Sequence, residues 1–65
     1  MNYKLILVEE RLDKEVRDTI GEFDTDLPLP QKDDIIRYKS KDYRVDGVLF
    51  EYDHDYVVLF VELFE

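Results

Sequence analysis

Sixty-five residues with no cysteine, a single histidine and a net charge of −8 set narrow bounds. One domain at most fits that length, and a core of this size supplies no more than ~3–5 kcal/mol, so extra stability is expected from a partner or from an unusually apolar core. Disulfides and thiolate metal sites are excluded, a structural zinc site lacks ligands, and the negative charge opposes direct nucleic-acid binding.

The acid is unevenly spread. Residues 1–44 hold eleven acidic and nine basic side chains, whereas 45–65 hold Asp46, Glu51, Asp53, Asp55, Glu62 and Glu65 with no Lys or Arg. Such a surface repels phosphate and steers toward a protein partner with a basic patch; it also serves solubility. The apolar run Leu5-Ile6-Leu7-Val8 is too short for the core of a signal sequence and lacks a small-residue cleavage site, and no run approaches the ~20 apolar residues of a membrane span. The expectation is a soluble, cytoplasmic chain.

Residues 3–9 read as a first strand, with Leu5-Ile6-Leu7-Val8 apolar on both faces. It is expected to pair with the C-terminal arm. Residues 10–22 read two ways. Leu12, Val16 and Ile20 recur at i, i+4 and i+8 before Phe23, as on a short amphipathic helix over about 12–21 that Asp13 caps and Gly21 ends. The β-branched Val16, Thr19 and Ile20 favour an extended arm instead.

Residues 23–32 form a connection stiffened by Pro28 and Pro30, with Leu27 and Leu29 expected on the core. A short strand at 34–38, a turn at 39–42 and a long strand at 43–52 follow. Gly47 falls where alternation slips, since Tyr43 and Val45 are in phase and Val48, Phe50 and Tyr52 take the other parity, the mark of a β-bulge. Asp53-His54-Asp55 is turn chemistry, and residues 56–64 return as a strand that is apolar on both sides except at Glu62. The hairpin of 43–64 organises the rest.

The run Leu27-Pro28-Leu29-Pro30-Gln31-Lys32-Asp33-Asp34-Ile35-Ile36, then Asp42-Tyr43-Arg44-Val45 and a strongly β C-terminal arm, resembles a pattern in small uncharacterised bacterial and phage proteins. There a leucine–proline, a further proline and a glycine–aspartate pair precede a bent SH3-like barrel; here Asp33 stands where that glycine would. The resemblance covers about residues 27–63 and implies a fold but no activity. Residues and resemblance together predict a mostly β single domain over 1–65. It is a small SH3-like barrel or a strongly bent antiparallel sheet of four or five strands, with a short helix at about 12–21 if the first reading of that segment holds.

Chemistry is sparse. Three consecutive residues in a turn, Asp53-His54-Asp55, cannot all face one ion, and Asp24-Thr25-Asp26 opens like a calcium loop but lacks its glycine and its closing glutamate. Glu9, Glu10, Asp13 and Glu15 alternate with Arg11, Lys14 and Arg17, as on a solvated, ion-paired surface. Ser40 is the only serine and no glycine-rich phosphate loop exists. Neither catalysis nor a cofactor or metal is expected. Five tyrosines and four phenylalanines exceed what so small a core needs. Tyr56, Val58, Phe60 and Phe64, with Ile6 and Val8, form the expected protein interface, and Asp46, Glu51, Asp53, Asp55 and Glu62 the expected acidic face. The function this implies is a non-enzymatic, acidic interaction protein, a homodimer that binds a basic partner. The alternative is a phage-type inhibitor that mimics nucleic-acid charge and blocks a nucleic-acid-binding host protein.

Overall fold

A computed structural model describes residues 2–11 and 15–64. Within them, alternating and two-sided apolar runs become five strands: β1 (Tyr3–Arg11), β2 (Val16–Thr25), β3 (Ile35–Tyr38), β4 (Lys41–Glu51) and β5 (Tyr56–Leu63). Their spatial order is β2-β1-β5-β4-β3, and the sheet curls strongly into a half-barrel. Every neighbouring pair is antiparallel except β1 and β5, which run parallel. The two strands that are apolar on both faces are therefore neighbours, as expected, with β5 at the centre and β1 beside it.

Period-2 alternation assigns the faces. Leu5, Leu7, Tyr43, Val45, Leu59 and Val61 point into the concave side and form the core, with Leu7, Val45, Leu59 and Val61 shut off from solvent. Truncating one such leucine to alanine costs about 2–5 kcal/mol, as much as a core of this size supplies. On β4 the register slips between Val45 and Gly47, so Asp46 is the extra residue of a bulge. The slip lets Tyr43, Val45, Val48 and Phe50 all face inward, and the strand bends around the core.

The expected helix at about 12–21 is not formed: residues 16–21 lie in β2, and 12–14 fall outside the described residues. A second bulge explains the misleading period. Val8 pairs with Thr19 and Leu7 with Gly21, so Ile20 is the extra residue. Val16 and Ile20 share a face before the slip, and Phe23 joins it after. Spacings of four and then three, which read as a helical stripe, also fit a bulged strand. Residues 23–25, expected in the connection, complete β2.

The connection itself crosses the open side of the half-barrel. Leu29 packs on the core as expected, whereas Leu27 is 68% exposed. The Tyr3 hydroxyl donates to the Leu27 carbonyl at 3.0 Å, and the Leu27 amide donates to Thr25 Oγ1 at 3.1 Å. A turn follows in which the Asp34 amide donates to the Gln31 carbonyl and the Gln31 amide to Asp34 Oδ2. Asp33 takes a φ of 76°, the left-handed conformation that glycine adopts most easily. Its amide donates to the Val45 carbonyl at 2.8 Å, and the Val45 amide returns a bond to the Asp34 carbonyl at 2.9 Å. The turn is thereby clipped to β4.

Strands β2 and β3 are the sheet edges, and side chains close the gap between them. The Tyr38 ring of β3 lies against Gly21 of β2 and stacks on Phe23, centroids 5.9 Å apart and planes 15° from parallel. A Cβ at residue 21 would stand 2.6 Å from Tyr38 Oη, so glycine is required for this close approach.

Candidate protein-interaction site

Beneath that seam the concave face leaves a cavity of about 150 Å³. Leu5, Leu7 and Leu59 form its floor, Phe23, Ile36 and Tyr38 one side, and Leu27, Pro28, Pro30 and Tyr3 the other. Arg37 at the rim is tied to Asp42, its direct cross-strand partner, at 2.8 Å. That hydrogen bond holds the Asp42 carboxyl below its ordinary pKa and the Arg37 guanidinium above its own.

A second, open groove of about 430 Å³ lies at the end of the β4–β5 hairpin, walled by Tyr3, Phe50, Glu51, Tyr52, Asp55, Tyr56 and Val57. Phe50 and Tyr52 share a strand face past the last core residue of β4, so they project beyond the core and stack on one another at 6.4 Å. They are 50% and 86% exposed. His54 stacks on Tyr56 at 6.0 Å and stands 3.7 Å from Glu51, whose carboxylate also accepts the Asp53 amide at 3.2 Å. No lysine or arginine is among the walls. The nearest strand neighbour with a cation is Lys4, opposite Tyr56, and it is held 2.6 Å from Glu22, which raises its pKa.

The expected interface residues separate into groups. Ile6 is opposite Val58 and Val8 opposite Phe60, while Leu49 extends the first row, so these five make one apolar stripe across the convex face. Val58 is buried in it and Leu49 is 45% exposed. The Arg17 guanidinium covers part of the Phe60 ring at 5.4 Å. Tyr56 belongs to the aromatic groove, and Phe64 stands beyond the Arg44–Glu62 pair, half exposed. The five carboxylates of the expected acidic face form two clusters. Asp46 and Glu62 flank Arg44 at 3.4 and 2.9 Å, whereas Glu51, Asp53 and Asp55 crowd the hairpin end.

Phe50, Tyr52, Tyr3 and the seam cavity were not among the residues singled out from sequence. Parity past the bulge gives Phe50 and Tyr52 the face of the core residues and so does not mark them as exposed. The cavity offered no signal, because it depends on β2 and β3 curling toward each other. Among the described residues no cluster of His, Asp and Glu is arranged to hold a metal, and no helix is long and apolar enough to cross a membrane. No family model, curated protein or solved structure matches this chain.

Proposed function

We propose that the chain is a non-enzymatic interaction protein that binds a basic segment of another protein in the groove of Tyr3, Phe50, Tyr52 and Tyr56. The observation that carries this reading is the combination of exposed ring faces with the Glu51 and Asp55 carboxylates around one groove that lacks a cation of its own. A guanidinium or ammonium over an exposed ring gains about 0.5–1 kcal/mol, and nearby carboxylates add attraction and steer the encounter. A nucleic-acid mimic would use its acids as one row of phosphate-like charges. The division into two clusters, one of them half offset by Arg44, favours the groove reading instead.

Argininamide titrated into 15N-labelled protein tests it. The expected result is saturable shifts at Phe50, Tyr52 and Tyr56 that weaken with salt and vanish in Tyr52→Ala, a change at an exposed site that leaves the fold intact. Shifts spread evenly over every carboxylate would refute a specific groove.

The convex stripe favours a second role for the same chain, self-association. Around Ile6, Val8, Leu49, Val58 and Phe60 the charges come in both signs, Lys4 with Glu22, Arg17 with Glu10 and Arg44 with Glu62. A second copy related by a two-fold axis can match such a frame as it covers the stripe. Light scattering across a concentration series should give a dimer mass that Phe60→Glu returns to monomer; a monomer at all concentrations would exclude it.

A further inference from the structure

We infer, resting on the groove reading above, that the aromatic groove and the seam cavity are two halves of one site, and that the segment it accepts carries an apolar side chain next to a basic one. Tyr3 is a wall of both. The sheet register joins them as well. Phe50 is opposite Val57, Val57 opposite Leu5 and Leu5 opposite Phe23, a single inward row that runs from the groove into the cavity. Strands lie about 4.8 Å apart, so Phe50 and Leu5 are about 10 Å apart, the length of about three residues of extended chain.

The halves differ in chemistry. A cavity of about 150 Å³ walled by leucines, isoleucine and aromatic rings takes a guest the size of a benzene ring and has no use for a charge. The groove beside it has rings and carboxylates and suits a cation. The one charged side chain at the cavity rim, Arg37, is already paired with Asp42 and leaves the cavity itself apolar. An extended segment crossing Tyr3 would therefore set a phenylalanine or leucine under the Tyr38–Phe23 seam and an arginine or lysine over Tyr52.

Three capped tripeptide amides separate the contributions: Phe-Gly-Arg, Gly-Gly-Arg and Phe-Gly-Gly, each titrated into 15N-labelled protein. Phe-Gly-Arg should bind on the order of tenfold more tightly than Gly-Gly-Arg, the gain from burying one aromatic side chain. It should also shift Leu5, Leu7, Ile36 and Leu59 together with Tyr52 and Tyr56. Tyr52→Ala should weaken Phe-Gly-Arg while sparing the Leu5 and Ile36 shifts that Phe-Gly-Gly produces. Equal affinity for Phe-Gly-Arg and Gly-Gly-Arg, with no shift on the cavity floor, would overturn the two-part site and leave the groove reading standing. If no peptide moves Tyr52 or Tyr56, both fall.

Discussion

Gly21→Ala gives the sharpest test of how this half-barrel is closed. In an ordinary strand the change would help, since glycine costs about 0.5–1 kcal/mol relative to alanine there. At residue 21 the new methyl meets Tyr38 Oη at 2.6 Å and Cζ at 2.8 Å. Ordinary carbon contacts begin near 3.5 Å, so the ring must retreat by about 1 Å. It cannot do so freely, because it is stacked on Phe23 and packs against the core. Overpacking of this kind costs about 1–3 kcal/mol, and a spoiled aromatic pair about 0.5–1.5 kcal/mol. Net of the propensity gain, the loss should be about 2 kcal/mol within a span of about 0.5–4 kcal/mol, and a loss of about 2 kcal/mol lowers Tm by about 8–16 °C in so small a domain. Urea unfolding followed by circular dichroism measures it, and a double-mutant cycle identifies the cause. In a Tyr38→Leu background, where Oη and Cζ are gone, Gly21→Ala should reverse sign and stabilise by about 0.5–1 kcal/mol. If Gly21→Ala stabilises the parent protein, or if its effect is the same in both backgrounds, Tyr38 does not close the seam.

Five of the described non-glycine residues lie in the left-handed region, among them Asp33 at φ 76°, and Lys39 and Ser40 at 50° and 67° in the two-residue loop between β3 and β4. Asp33→Gly, and separately Lys39-Ser40 replaced by Asn-Gly, should each raise stability by about 0.5–1 kcal/mol in urea melts, because the loop has the two positive φ values of a type I′ turn. Burial raises the Tyr43 hydroxyl above its ordinary pKa, with Glu9 adding to the shift. The unfolded chain ionises first, so this contribution is intact below about pH 10 and is lost as pH rises through the folded value. Tyr43 should ionise above the ordinary phenol range in an absorbance titration, and alkaline unfolding should accompany it. For Asp42 the sign is opposite: its folded pKa is depressed by Arg37, so any contribution is present above the usual carboxylate value and fades as acid protonates it. Arg37→Gln should return the Asp42 midpoint, read by carboxyl NMR, to the ordinary range.

The strands of the 43–64 hairpin were legible because local chemistry alone specifies them: β-branched and aromatic runs, a polar turn, and a glycine at the parity break. The two apolar faces of β5 fitted either a central strand or half of an interface, and the sheet order gives it the central place. Residues 16–25 were ambiguous because a bulge at Ile20 converts strand parity into helix-like spacing, and only the partner strand shows the bulge. The parallel pairing of β1 with β5 had no local signal at all. At the site, Tyr56 and the acidic residues at the hairpin end were visible from composition. Phe50 and Tyr52 were counted as ordinary strand residues, because nothing in sequence says where the core stops along β4. The seam cavity arises from residues far apart in the chain, Phe23 and Tyr38 above all, and no window of sequence contains both its walls.

The last strand in the chain is the middle strand of the sheet, and that ordering governs assembly. The β1–β2 and β3–β4 hairpins form locally, and β5 folds back on β4 as a third, but the two halves of the sheet stay apart until β5 pairs in parallel with β1. Nearly all the loop-closure entropy is then spent in one late step, which places the chain among the slower small folders, in the millisecond-to-second range. Loss runs in reverse order from the edges: β2 and β3 can fray singly, whereas amides of β5 exchange only when the whole sheet opens. A polypeptide cut short before Tyr56 would keep both hairpins and join neither to the other.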